Sequence, residues 1–467
     1  MKKIAPLTSI DNIGVENKHG KVSFNLENDR NDKKETIDFE KEQKFFTAIQ
    51  RQQAYRDILF NENTNKYSAC TAFYGLNGVL FGLFMNSITA LIPIHNVIKQ
   101  PEYFYEVILT NMFFTPLFAA QLLYQCSYWM NIDYIRTLKN YVRIAICLVV
   151  YRVCIQGGLY AIWTCLLENP YPMPFHTTIG GMTLFPFGFF VLWMQFSKEW
   201  RKTKELQTRF LYFMLTFMIN FVIHTEYTIY NSVFLKISPN LQWVLALTLP
   251  FARELNLWMQ LKTAYKSAGS KDSSVEISCS YMVNTRHCVF LSVMLGTTAT
   301  DLTSWVILGS DFVINLFLTL RIMWMKRQKE IDSKMETKMI HNLVSLTLNE
   351  TVEAVVPLSF FVCFLVSYYG PNAEIIGGVK SDFFHYTPVT NIERFIENLF
   401  LFIAVDFTSV ITTTLFLWIF SKINIFRMYK NLQQEFWTIM TINTAYIICV
   451  VSLMIGYDKK GLYFHII

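Results

Sequence analysis

The sequence predicts an all-α membrane protein, a polytopic transmembrane bundle of about eleven spanning helices behind a polar N-terminal tail. Three observations predict it. Ten or eleven long apolar runs fill the stretch from Cys70 to Ile455. Lys and Arg gather in alternate loops between those runs. Charged residues make up only 16% of the chain, against 52% apolar and 16% aromatic, where soluble domains carry about 25% charged residues. A bilayer core offers backbone groups no water, so only helices of roughly 20 apolar residues or closed barrels cross it.

Composition also narrows the function. The net charge of +6 sits in short loops beside apolar runs, the pattern that orients membrane helices. A nucleic-acid partner is therefore not expected, and the lipid bilayer is. Met1, Lys2 and Lys3 lead into polar sequence without the apolar core of a cleavable signal peptide, so the first span is expected to direct insertion. Seven of the nine cysteines (Cys126, Cys147, Cys154, Cys165, Cys288, Cys363 and Cys449) fall in apolar runs, and no two form a CxxC pair. That spacing supports neither a disulfide framework nor a zinc site, and no cofactor is expected.

Residues 1–66 form a cytosolic tail with 12 Lys/Arg and 11 Asp/Glu. Its first 35 residues are rich in Asn, Lys and Asp and read as loose chain. Phe45, Phe46, Ile49, Ile58 and Leu59 then recur roughly at helical spacing, which predicts a juxtamembrane helix between Thr36 and Phe60. The bundle occupies 67–457, with spans at 70–98, 103–129, 144–167, 178–197, 210–235, 241–261, 287–309, 311–325, 343–369, 395–420 and 435–456, before a short tail, 458–467. The seventh and eighth spans are separated only by a turn at 301–304 or 309–310, and without it the count falls to ten.

With the N-terminus in the cytosol, the inner loops carry 20 Lys/Arg and the outer loops and C-terminal tail carry 6. That split orients the chain and, with eleven spans, puts the C-terminus outside. A multi-pass integral membrane protein is expected, with the plasma membrane favoured over an organelle. The outer loop 370–394 is longer than a simple turn and mixes Gly, Pro, aromatic and charged residues. It reads as a solvated connector, with a gating role as the alternative.

Polar residues inside the spans carry the functional argument, because an ionisable group at bilayer depth costs at least about 2.5–3.5 kcal/mol without a partner or wet cavity. On the fifth span Thr216, Asn220, His224, Tyr227 and Asn231 step by 4, 4, 3 and 4, so they share one face. Such a stripe either lines a water-filled path, with His224 titratable near neutral pH, or forms a polar seam against a neighbouring helix. On the tenth span Asp406 lies near mid-membrane with Ser409 and Thr413 on its face. It reads as an ion or proton site, or as half of a salt bridge to Arg152 or Arg253.

On the sixth span Gln242, Arg253, Asn256 and Gln260 share a face, and Pro250 predicts a break within 249–256. Asp311, Asn315 and Thr319 form a row on the eighth span, with Asp311 expected to cap its outer end. Glu350 and Glu353 are expected at the cytosolic mouth of the ninth span, solvated. Gly75, Gly78 and Gly82 mark close packing of the first span.

The reading that ranks first is a transporter or channel moving an ion or small polar solute between helices. The path would be Asn220, His224, Tyr227, Asn231, Arg253, Asn256, Asp406, Ser409 and Thr413. His224 and Asp406 make it compatible with proton coupling. A membrane receptor or scaffold without flux ranks second. A membrane-embedded acyl or glycosyl transferase ranks third, because no HExxH, GxSxG, P-loop or Gly-rich dinucleotide motif is present. No residue is assigned to catalysis or to a metal.

Overall fold

Apolar stretches of 20 or more residues have one low-energy backbone in the absence of strand partners, and the described residues take it. A computed structural model describes residues 59, 104–130, 132–162, 176–269, 273–296, 298, 300–328, 332–369 and 392–425. Among these residues the fold is all helical, with no strand. The helices are α1 Phe104–Met130, α2 Leu138–Ala161, α3 His176–Trp193, α4 Lys204–Lys236, α5 Gln242–Ala246, α6 Leu249–Ala268, α7 Ser273–Gly296, α8 Asp301–Lys326, α9 Ser333–Tyr369 and α10 Ile392–Ser421. Two short 3-10 turns and the one-turn helix Lys198–Arg201 connect them.

The juxtamembrane helix, the first and eleventh spans with their glycines, most of the 370–394 loop and the C-terminal tail lie outside the described residues. Among the described residues, four stretches are long and apolar enough to cross a membrane: Leu138–Leu159, Lys204–Asn231, Asp301–Lys326 and Glu393–Ser421.

Local chemistry explains the ends. Thr300 caps α8 by accepting the Thr303 amide at 3.3 Å. α7 ends at Gly296 and α8 begins at Asp301, so the boundary between them lies upstream of both expected turns. α9 begins at Ser333, ten residues before the expected 343, so Glu350 and Glu353 stand deep in a continuous helix. The sixth span breaks at Leu247 and Thr248, just ahead of Pro250, which occupies the first turn of α6, where its missing N–H costs nothing. The Tyr230 hydroxyl bridges that break, donating to the Leu245 carbonyl and lying 2.8 Å from Thr248 Oγ1. At the far end Gly269 ends α6 in the left-handed region (φ 74°). That backbone conformation favours glycine, and a Cβ there would also push aside the flexible end of the Arg209 side chain, which lies 2.0 Å away at Nη2.

α7 is the centre of the arrangement. It packs against α4, α6, α9 and α10, and every residue from Ile277 to Ser292 is buried. An aromatic cluster holds one side, with Phe189 of α3 5.6 Å from Phe217 and 6.1 Å from Phe213 of α4. An aliphatic cluster, including Val289, Leu343, Val352, Leu399 and Leu417, joins α7, α9 and α10.

The outer faces are apolar instead of polar. Leu211, Leu215, Met218, Val222, Ile229 and Val233 are exposed along α4. On α8 the exposed row includes Trp305, Val313, Phe317 and Trp324. The two tryptophans are 19 positions apart, about 28 Å at 1.5 Å per residue. That is close to the thickness of a bilayer hydrocarbon core, at whose edges Trp concentrates.

Candidate functional site

Five helices bring ionisable side chains to one buried region. α6 supplies Arg253, 2% exposed. Its Nη1 lies 3.6 Å from Asp311 Oδ1 on α8 and 3.6 Å from Glu353 Oε1 on α9. One guanidinium thus serves two carboxylates, and removing it would strand both in a low-dielectric interior. α7 adds His287, whose Nε2 stands 3.8 Å from Asp311 Oδ1 and whose Nδ1 is 3.0 Å from the Tyr227 hydroxyl of α4. The Tyr227–Nδ1 contact is within hydrogen-bond range, whereas Nε2 stands too far from Asp311 to bond it directly. Asn315, one turn beyond Asp311, donates its side-chain N–H to Glu353 Oε2.

A second part adjoins it on the α9–α10 seam. Glu350 Oε1 accepts from Ser409 at 3.1 Å and from Thr413 at 2.8 Å. Asp406 sits one turn before Ser409 on the same face of α10. It is 4% exposed, and its Oδ2 has no hydrogen-bond partner. Glu350 Oε2, both Asp311 oxygens and Asn315 Oδ1 are likewise buried without a hydrogen bond. Asn256 is fully buried on the Arg253 face of α6.

The chain matches no protein-family model, no curated protein and no solved structure. Its chemistry is read from the site.

The structure distributes the sequence-predicted residues unevenly. Tyr227 and Arg253 join the central network, and Asp406, Ser409 and Thr413 surround Glu350. The rest of the α4 stripe faces α6 and α7. Thr216 bonds Thr263 at 3.0 Å, and Asn220 Oδ1 accepts from Gln260 at 2.9 Å and Arg286 at 2.6 Å. His224 packs edge-on to Phe290, with centroids 5.5 Å apart. Asn231 Oδ1 is buried without a hydrogen bond.

Four local expectations are corrected. Arg253 pairs with Asp311 and Glu353, not Asp406, while Arg152 donates to Thr115 at 3.4 Å. Asp311 lies ten residues inside α8 and so caps nothing. Glu350 and Glu353 are each 2% exposed, not solvated, because α9 starts so early. Arg286, counted among the 20 Lys/Arg of the expected inner loops, belongs to α7 and is buried.

His287, Glu353 and Asn315 were absent from the predicted path. The threonine cap at Thr300 was the available signal, since placing the turn there moves Asp311 to mid-helix.

At one end of α7, outside the apolar spans, His341 Nδ1 lies 2.6 Å from Glu276 Oε2. That hydrogen bond holds the His341 imidazole above its ordinary pKa.

Proposed function

We propose that the chain is a multi-pass membrane transporter or channel, with about eleven spans and a cytosolic N-terminus. It moves an ion or small polar solute through the polar interior between α4, α6, α7, α8, α9 and α10. One observation carries the reading: five helices converge ionisable groups at mid-helix, inside a bundle whose outer faces are apolar. A purely structural seam satisfies its polar atoms, because each one left unbonded costs about 1–3 kcal/mol. Here Asp406, Glu350, Asp311 and Asn315 keep unbonded atoms in the buried interior. In membrane proteins buried ionisable residues of this kind mark solute and proton pathways.

Flux in liposomes tests it. Purified protein is reconstituted with pH- and voltage-sensitive dyes, and wild type is compared with Asp406→Asn. Wild type is expected to carry ion or proton current down an imposed gradient. The isosteric variant, with unchanged circular dichroism, is expected to lose most of it. Absence of flux from wild type under ionic, proton and voltage gradients sinks the reading.

A further inference from the structure

Most of the unbonded atoms of the central region are acceptors. Asp406 Oδ2, Glu350 Oε2, both Asp311 oxygens and Asn315 Oδ1 have no hydrogen-bond donor, while the unbonded nitrogens Arg253 Nη2 and His287 Nε2 lie on the Asp311–Glu353 side. Charge runs the same way. Four carboxyl groups (Asp311, Glu350, Glu353 and Asp406) are buried there, and Arg253 pairs with two of them, Asp311 and Glu353.

Arg253 and His287 occupy the Asp311–Glu353 side. On the α9–α10 side Glu350 has only the Ser409 and Thr413 hydroxyls, and Asp406 has no ion pair or hydrogen bond among the described residues. Carboxyl groups without a cationic partner therefore gather on the Glu350 and Asp406 side. An anion would be repelled by carboxyl oxygens that no cation faces.

We propose that the Glu350–Asp406 seam binds a small monovalent cation, with Ser409 and Thr413 supplying neutral oxygens beside the two carboxylates. Among the described residues no three His, Cys, Asp or Glu side chains converge closely enough to hold a metal ion by themselves. That disfavours a divalent ion, which demands a fuller shell of charged oxygen ligands. A monovalent ion keeps part of its water and needs fewer protein oxygens. The proposal deepens the transport reading and rests on it for solute access to the seam. An alkali ion and a small protonated amine share this chemistry, and the test separates them.

The measurement is thermal unfolding of the full-length protein in detergent at pH 8, at constant ionic strength. NaCl, KCl or methylammonium chloride is titrated against choline chloride, because a ligand bound only by the folded state raises Tm saturably. One of the three cations is expected to raise Tm with a saturation curve. Glu350→Gln and Asp406→Asn are each expected to raise its half-saturating concentration about tenfold or more, since each removes a charged contact. Ser409→Ala, which keeps both charges, is expected to do so less.

A response to sodium or potassium identifies an alkali site, and a response to methylammonium alone identifies an amine site; both support the proposal. If no cation shifts Tm, or the shift survives both charge-neutralising variants, the proposal is overturned and the carboxyls hold protons only. Liposome flux distinguishes the two readings. Flux without cation binding overturns this inference and leaves transport standing, whereas binding without flux does the reverse.

Discussion

Arg253 is the residue on which the interior depends most. It stands 3.6 Å from each of two carboxylates on different helices, Asp311 and Glu353, and is almost fully buried. Replacing it with methionine keeps much of the volume and leaves both acids without their cation. Breaking a buried ion pair from one side costs about 3–5 kcal/mol, so Arg253→Met is expected to lower Tm strongly in detergent. Adding Glu353→Gln removes one stranded charge and is expected to restore part of that loss. An unchanged Tm in the single variant would mean that Arg253 does not hold α8 and α9 together. Sequence alone placed Arg253 on a polar face of its helix, but the partner it named was Asp406. A 3.6-residue period tells which face a side chain shares and nothing of what that face meets.

At the scale of elements, the break between α5 and α6 separates two kinds of helix signal. Pro250 announces the break in the sequence, yet it sits in the first turn of α6, where a missing N–H is harmless. The Tyr230 hydroxyl, from α4, binds the Leu245 carbonyl and Thr248 across the gap. Pro250→Ala is therefore expected to move stability by no more than about 0.5 kcal/mol. Tyr230→Phe is expected to cost about 1 kcal/mol, the net worth of a hydrogen bond. Thermal melts of the two variants side by side check the ordering, and a larger loss in the proline variant would reverse it. α7 shows the opposite failing of sequence reading. With Glu276, Asn284, Arg286 and His287 it is too polar to be recognised as a span over its first half. Its neighbours bury it on every side from Ile277 to Ser292, so no apolar face is needed.

For the whole molecule, the inverted surface is what a bilayer would select. Phe317 lies about midway between Trp305 and Trp324 on the exposed row of α8 and is 63% exposed. On a water-facing surface Phe317→Arg changes stability by less than about 0.5 kcal/mol. At the centre of a bilayer it costs at least about 2.5–3.5 kcal/mol. The variant is expected to insert poorly and to melt well below Phe317→Leu in lipid nanodiscs. Equal insertion and equal Tm would place that row out of the hydrocarbon.

The sequence by itself determined what depends on neighbours along the chain. Long apolar runs set the all-helical class and the rough helix limits, and 4, 4, 3, 4 spacing set the polar face of α4. Tertiary structure decided which faces meet. Only it could gather Arg253, His287, Asp311 and Glu353 from four helices, bury the Glu350–Asp406 seam and turn most of the α4 stripe toward α6 and α7. The physical reason is range: hydrogen bonding and periodicity act within a turn or two of helix. The cost of a buried charge, by contrast, is set by whichever helix packs beside it.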